Sequence, residues 1–324
     1  METDFILNAC AITGDGSCEL LNSKTVSKAL KDDALGWVHL DGNKPGTRTW
    51  LAENISYLDN LILDALLAEE TRPRIIEFEK GALLILRGVN LNENADPEDM
   101  VSIRLWIDAH RIISVQRRPL KATIDIQEKL LEGKGPKNSG DFIAMLSARL
   151  FERMEPIFQE LDERLDNIEE KVIESPDISE RNDITLIRKQ AIVFRRYISP
   201  QRDVIAHLRT SEMEWIDAMH KRRLQESLDR VTRYIEDLDT IRERSQIVKD
   251  ELSSILSDKM NSNLYMLSLI AAIFLPLGFF TGLLGINVGG IPSAENPDAF
   301  LIFCGILIIT VIAQIIIFKK LKWL

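Results

Sequence analysis

The distribution of charge divides the chain before any element is assigned. No charged residue occurs between Met260 and Ala294, and a second uncharged run covers Ala299–Phe318. The windows Leu264–Leu284 and Ala299–Phe318 hold 21 and 20 residues. Each is about 30 Å long as a helix, enough to cross a hydrocarbon core. Two such runs side by side predict a membrane hairpin. Lys259 precedes the first run, and Lys319, Lys320 and Lys322 follow the second, whereas the connector 285–298 holds Glu295 and Asp298 without Lys or Arg. That asymmetry predicts a cytoplasmic N-terminal body and C-terminus, with the connector outside. Met1–Leu20 opens with acids and shows neither the basic start nor the cleavage site of a secretory leader.

Upstream, the apolar pattern changes period. Phe5–Ile12 and Ser17–Leu21 flank Gly14-Asp15-Gly16, a hairpin signal. Gly36–Asp41, Arg74–Glu79, Ala82–Leu91, Val101–Asp108 and Arg111–Arg117 read as further strands, with helical spacing across Thr47–Glu70. These predict a mixed α/β domain over 1–120. Paired acidic helices are expected over 121–212, one carrying Phe158, Leu161, Leu165, Ile168 and Val172 and ending at Ser175-Pro176. A second covers Glu180–Arg209, with a bend expected at Ser199-Pro200. From Met213, a 4-3 apolar repeat through Leu224, Leu228, Val231, Ile235 and Leu238 predicts a stalk over 213–263. No helix breaker separates it from the first span. The fold class is therefore α+β: a mixed cytosolic domain, a long helical stalk and two C-terminal transmembrane helices.

The two spans differ in kind. The second, nearly pure Ile, Leu, Val and Phe with one polar Gln314, reads as a helix bathed in lipid on which Gln314 matters little, followed by a basic tail at 319–324. The first carries Tyr265, Ser268, Pro276, Gly278, Thr281 and Gly282 and runs into Gly285-Ile286-Asn287. Small and polar residues at membrane depth belong on helix contacts or a watery path. One hairpin cannot enclose a pore, but several copies of the first span can, with the second as an outer ring. Asp250, Ser254, Ser257, Asn261 and Ser268 extend this as a polar stripe at helical spacing.

Composition narrows the chemistry. A formal charge of −10 argues against a nucleic-acid surface. Three scattered cysteines, Cys10, Cys18 and Cys304, suit a reducing compartment. Cys10 and Cys18 read as small apolar residues of a hairpin, with a shared zinc as the rarer alternative. Four histidines lack ligand spacing, and no phosphate loop, nucleophile elbow or metalloprotease motif is present, so no enzyme is expected. Residues 151–180 hold eleven acids against three basic residues. They form a solvated helix face by default, or a cation-sensing surface.

The stretch Ala272–Asn287 resembles the pore helix and signature loop of the CorA-type divalent-cation channels, whose loop usually ends Gly-Met-Asn. Here it reads Gly285-Ile286-Asn287. With Val288–Pro292 and Lys322-Trp323-Leu324, this variant is similar to the zinc-transporting ZntB branch. The resemblance covers the whole layout. It implies a funnel-shaped homopentamer in a bacterial inner membrane, with five first spans around the pore and Asn287 ringing the outer mouth. It further implies that Leu264, Leu275, Gly278, Leu283, Gly285 and Ile286 face the pore, with Asp250 lower on the stalk. Magnesium-selective relatives often carry Thr where Gly278 stands. The implied cargo is zinc, with magnesium, nickel, cadmium and cobalt as alternatives, and proton coupling belongs to the zinc branch. Membrane lipid and further copies of the chain are the implied partners, and no bound cofactor is implied.

The residues support that picture independently. A ring of neutral amide oxygens at Asn287 accepts hydrogen bonds from a hydrated divalent ion without holding it too tightly to leave. Glu295 and Asp298 would concentrate cations outside the mouth. The lack of Cys or His in the first span argues against a stripped, thiolate-bound metal. Two other readings stay open: a magnesium or cobalt channel gated by cytosolic metal, and a non-transporting membrane-anchored scaffold.

Overall fold

The computed structural model describes residues 4–22, 25–30, 34–55, 58–286 and 296–321. The chain divides into two compact units, Met1–Ser175 with Ser179–Lys249, and Pro176–Ile178 with Asp250–Leu324.

In the first unit, β1 (Ile6–Ile12) and β2 (Cys18–Leu20) form the expected antiparallel hairpin. Its turn needs glycine: Gly16 has φ +95°, and a Cβ there would sit 2.9 Å from the Gly135 carbonyl oxygen. Strands β3 (Gly36–Asp41), β4 (Arg74–Glu77), β5 (Gly81–Gly88), β6 (Val101–Asp108) and β7 (Arg111–Gln116) complete a seven-stranded sheet of order β2-β1-β3-β7-β6-β5-β4. β3 and β7 pair in parallel, and the other neighbours are antiparallel. The strand pattern of the sequence is thus realised within a few residues at each end.

Alternation along the strands builds two apolar layers. On one face, Val38, Leu40, Leu83, Trp106, Ile113 and Val115 share a core with Leu51 of α2 (Gly46–Asn54) and Leu63 and Leu66 of α3 (Asn60–Leu67). On the other, Trp37 meets Phe142 edge-on at 5.1 Å. The run 121–212 holds four helices: α4 (Lys121–Leu131), α5 (Ser139–Glu152), which carries Phe142, α6 (Glu155–Glu174) and α7 (Glu180–Thr210). Phe158, Leu161, Leu165, Ile168 and Val172 are all buried, as their spacing requires. Helix α7 continues through Pro200, and beside it the Gln201 amide pairs with the backbone of Arg87, accepting from its N–H at 2.6 Å and donating to its carbonyl at 3.0 Å. β4 has ended at that point, so the amide stands in for a strand neighbour.

A polar group is buried within this sheet. Ser114 Oγ accepts from Trp37 Nε1 at 2.9 Å and lies 2.7 Å from His39 Nδ1. Burial depresses the His39 pKa from 6.5 to about 4, because the imidazolium would be stripped of water. Cys10 is buried beside Cys18, which also pushes its thiol pKa up, and no group of three His, Cys, Asp or Glu residues able to hold a metal occurs among the described residues.

Helix α8 spans Ala218–Gly285, 68 residues. It starts five residues beyond Met213 because Asp217 caps it, accepting from the N–H groups of Met219 (2.8 Å) and His220 (2.9 Å). Leu224, Val231, Ile235, Leu238, Ile241 and Val248 are buried. In the second unit, α8 and α9 (Ala299–Lys320) are both long and apolar enough to cross a membrane.

One expectation fails here. Gln314 is not a residue bathed in lipid: its Nε2 donates to the carbonyls of Ala272 (3.2 Å) and Ile273 (3.4 Å) on α8. Pro276 has no N–H, so the carbonyl four residues earlier, that of Ala272, lacks its helical donor. In hydrocarbon that loss must be met by protein, and Gln314 meets it.

Two outcomes follow from these buried polar groups. Below pH 6.5 the unfolded chain takes up a proton at His39 that the folded chain refuses until about pH 4. Stability should therefore fall across that window by about 3 kcal/mol, and His39→Gln should flatten the slope in denaturant titrations of the full chain. Gln314→Leu should lower the unfolding midpoint in detergent by the equivalent of about 1 kcal/mol; an unchanged midpoint would mean that another group serves the Ala272 carbonyl.

Candidate functional site

The polar stripe of the sequence becomes one face of α8. Asp250, Ser254, Ser257, Asn261, Leu264, Ser268 and Leu275 follow one another at steps of three, four and seven, which keep one side of an α-helix. All seven are exposed on this chain. Leu264 is 54% and Leu275 73% exposed, and Leu283 and Ile286 are each 50% exposed. Gly278 and Leu283 flank the face, and Ile286 returns to it.

Three hydroxyls in this part of the helix have a fixed polarity, Ser257 and Ser268 on the face and Thr281 on the opposite side. Ser257 Oγ donates to the Ser253 carbonyl at 2.8 Å, and Ser268 Oγ donates to that of Leu264 at 2.8 Å. Thr281 Oγ1 does the same toward Gly278 at 3.1 Å. Each hydroxyl proton is spent on the helix itself, so the lone pairs remain for a donor outside it. Water around a cation turns its hydrogens outward, so such a face suits a hydrated cation and offers little to an anion.

The small residues of the first span do not serve packing within the chain. Among the described residues, a Cβ at Gly278, Gly282 or Gly285 would find no atom within 4 Å. Of the two uses for small residues at membrane depth, close contact with α9 is therefore not the one these glycines have. Their open sides are left for another copy or for water.

Asn287 and Glu295 lie outside the described residues, as do Val288–Pro292 and Lys322–Leu324. Asp298 is exposed immediately before α9, where its backbone N–H donates to Asn296 Oδ1 at 2.9 Å and its carbonyl accepts from Ile302.

The acidic face of α6 is partly spoken for. Arg244 of α8 donates to Asp162 at 2.9 Å, to Glu169 at 2.6 and 3.1 Å, and to Asp166. Those carboxylates hold the guanidinium charged, raising its pKa further. A cation-sensing surface there would have to compete with this arginine. Reading the sequence missed this pairing, and it missed Gln314. The second was open to inference, since a proline at membrane depth demands a donor and the facing span has few.

Comparison with known proteins agrees with this layout. The model of the CorA-like Mg2+ transporter protein family matches residues 32–320. The zinc transport protein ZntB of Pectobacterium atrosepticum is 38% identical over 288 residues, which are 89% of this chain and 88% of that protein. The divalent cation transporter CmaX of Pseudomonas aeruginosa is 37% identical over 305 residues, 94% of this chain and 91% of that one. The solved structure of a full-length CmaX protein superposes with a TM-score of 0.86 at 34% identity, covering 100% of this chain and 99% of its own. With a mixed α/β domain, a long helix and paired apolar helices in the same order, the chain belongs to the CorA-like transporter family.

Proposed function

We propose that this chain moves divalent cations, zinc foremost, across a bacterial inner membrane through the centre of a homopentamer, with both termini in the cytoplasm. The observation that carries this reading is the face Asp250–Leu275 of α8. It is exposed, free of charge from Met260 onward, and carries two hydroxyls, Ser257 and Ser268, whose protons are already used. Five copies would line a path with acceptors at the wet end and leucines at membrane depth.

On this reading an ion meets the acids first. Glu295 and Asp298, repeated around the mouth, raise the local cation concentration. The Asn287 amides then accept hydrogen bonds from its water shell, which a divalent ion gives up reluctantly. Gly285 lets the backbone come close there, and Ile286, Leu283, Leu275 and Leu264 form apolar narrowings that bind nothing tightly. Gly278 adds no side chain and so no acceptor. Asp250 receives the ion at the inner end. Proton coupling is part of the proposal, and flux into liposomes with and without a pH gradient tests it.

The magnesium or cobalt reading is favoured by the family's own description, which names Mg2+. Competition of Mg2+, Co2+, Ni2+ and Cd2+ against Zn2+ uptake separates the two. A reconstituted protein that moves none of these ions would favour a scaffold.

Asn287→Ala should assemble normally and lose most divalent uptake. Each unreplaced charge-assisted hydrogen bond to the hydrated ion removes about 1–3 kcal/mol. Full transport by an intact Asn287→Ala oligomer would move selection to Asp250–Asn261. Neutralising Glu295 and Asp298 together should weaken uptake at low ionic strength and matter little at high salt, since exposed charges are screened over about 10 Å at 0.1 M. A loss independent of salt would mean that they ligate the ion or hold the loop.

A further inference from the structure

Far from the membrane segments in sequence, the α/β domain has a cavity of about 750 Å³ with an unusual wall. Its floor is made by the sheet. Arg87, Arg104 and Arg117 fall at the same end of β5, β6 and β7, on the face that α3 covers, as the pairings Ile85↔Arg104 and Arg104↔Val115 require. Arg72, Arg118 and Arg196 complete a set of six guanidinium groups. The acids in the wall are three, Glu69, Glu70 and Asp99. The cavity therefore carries a formal excess of three positive charges in a chain whose net charge is −10.

The ordinary explanation for buried arginines is that they are paired. Two here are: Arg118 with Asp99, and Arg117 with Glu69 at 3.6 Å. Arg72, Arg87, Arg104 and Arg196 have no carboxylate within salt-bridge distance among the described residues. Arg87 donates to the carbonyls of Thr71 and Met100 and stacks on the Tyr197 ring at 4.1 Å. Arg104 is 1% exposed. Its Nη2 donates to the Glu69 carbonyl at 3.0 Å, while Nε and Nη1 have no partner.

Backbone carbonyls satisfy some N–H groups but cancel no net charge. Burial and the neighbouring Arg117 and Arg87 pull the Arg104 pKa down to about 10, which leaves it charged at neutral pH. A buried cation without a counter-charge is costly. An anion in the cavity would remove that cost.

We propose that this cavity binds a small soluble polyanion bearing two or more phosphoryl groups. Its volume falls in the range of small-ligand sites. Guanidinium groups match phosphate oxygens in both charge and geometry, and an excess of three positive charges on three adjacent strands suits charge spread over linked phosphates better than one point anion. The inference stands apart from the transport reading and needs neither pore nor membrane.

The test is calorimetric titration of the purified full chain in detergent with sodium pyrophosphate and tripolyphosphate, in metal-free buffer at fixed ionic strength. Saturable binding of one ligand per chain is expected. Arg72→Gln and Arg196→Gln are changes at accessible positions, and each should weaken binding about tenfold or more. Arg104→Met should abolish it, while Arg181→Gln, an exposed change elsewhere on α7, should leave it intact. Should Arg104→Met fail to fold, the two accessible variants decide the matter. Absence of binding up to about 10 mM pyrophosphate, retention of full affinity in both accessible variants, or equal binding of citrate, sulfate or chloride would each overturn the proposal.

Discussion

Hydrocarbon supplies no hydrogen-bond partner, and the membrane part of this chain is organised by that fact. A helix satisfies its own backbone until a proline removes a donor. Pro276 does so within the last ten residues of α8, and Gln314 of α9 brings its amide to the carbonyl left over. The two apolar helices are thereby joined by a polar contact where dispersion alone has little preference for one rotation over another. The same economy governs the hydroxyls of Ser257 and Ser268, which turn back on their own helix. Their oxygens then become acceptors toward the outside, which gives the helix face a preference in sign without a formal charge.

In the first unit, charge is handled by opposite means in two places. The acidic face of α6 is drawn together by Arg244, a single cation serving three carboxylates. In the sheet cavity the imbalance runs the other way, with guanidinium groups outnumbering acids and Arg104 buried among them. The first arrangement is complete as it stands. The second leaves donors without acceptors, and in folded proteins such groups are few.

How far the sequence could be read depended on whether a feature was local. The strands, the glycine turn at Gly16 and the apolar spans were visible because period, turn chemistry and length are properties of neighbouring residues. The α8 start at Ala218 was less so, since it rests on one capping carboxylate, Asp217. Contacts between distant residues were the hardest to read. Nothing near Arg104 in sequence announces that it will lie beside Arg87 and Arg117, because strand register decides that. Gln314 lies 42 residues from Ala272, and the donor that Pro276 lacks is the one hint of their contact. The Asn287 mouth could be proposed because the resemblance that implies it is carried by one short run, Ala272–Asn287.

The glycines at 278, 282 and 285 have a consequence in genetics. Among the described residues nothing fills the space where a side chain would begin at each, so a larger residue there leaves their contacts undisturbed. In the proposed oligomer such a chain would still fold, insert and join its neighbours, and the fault would surface only where copies meet. Alleles at these positions are therefore expected to be dominant over the normal gene in a cell carrying both, since one altered subunit suffices to spoil the assembly that admits it.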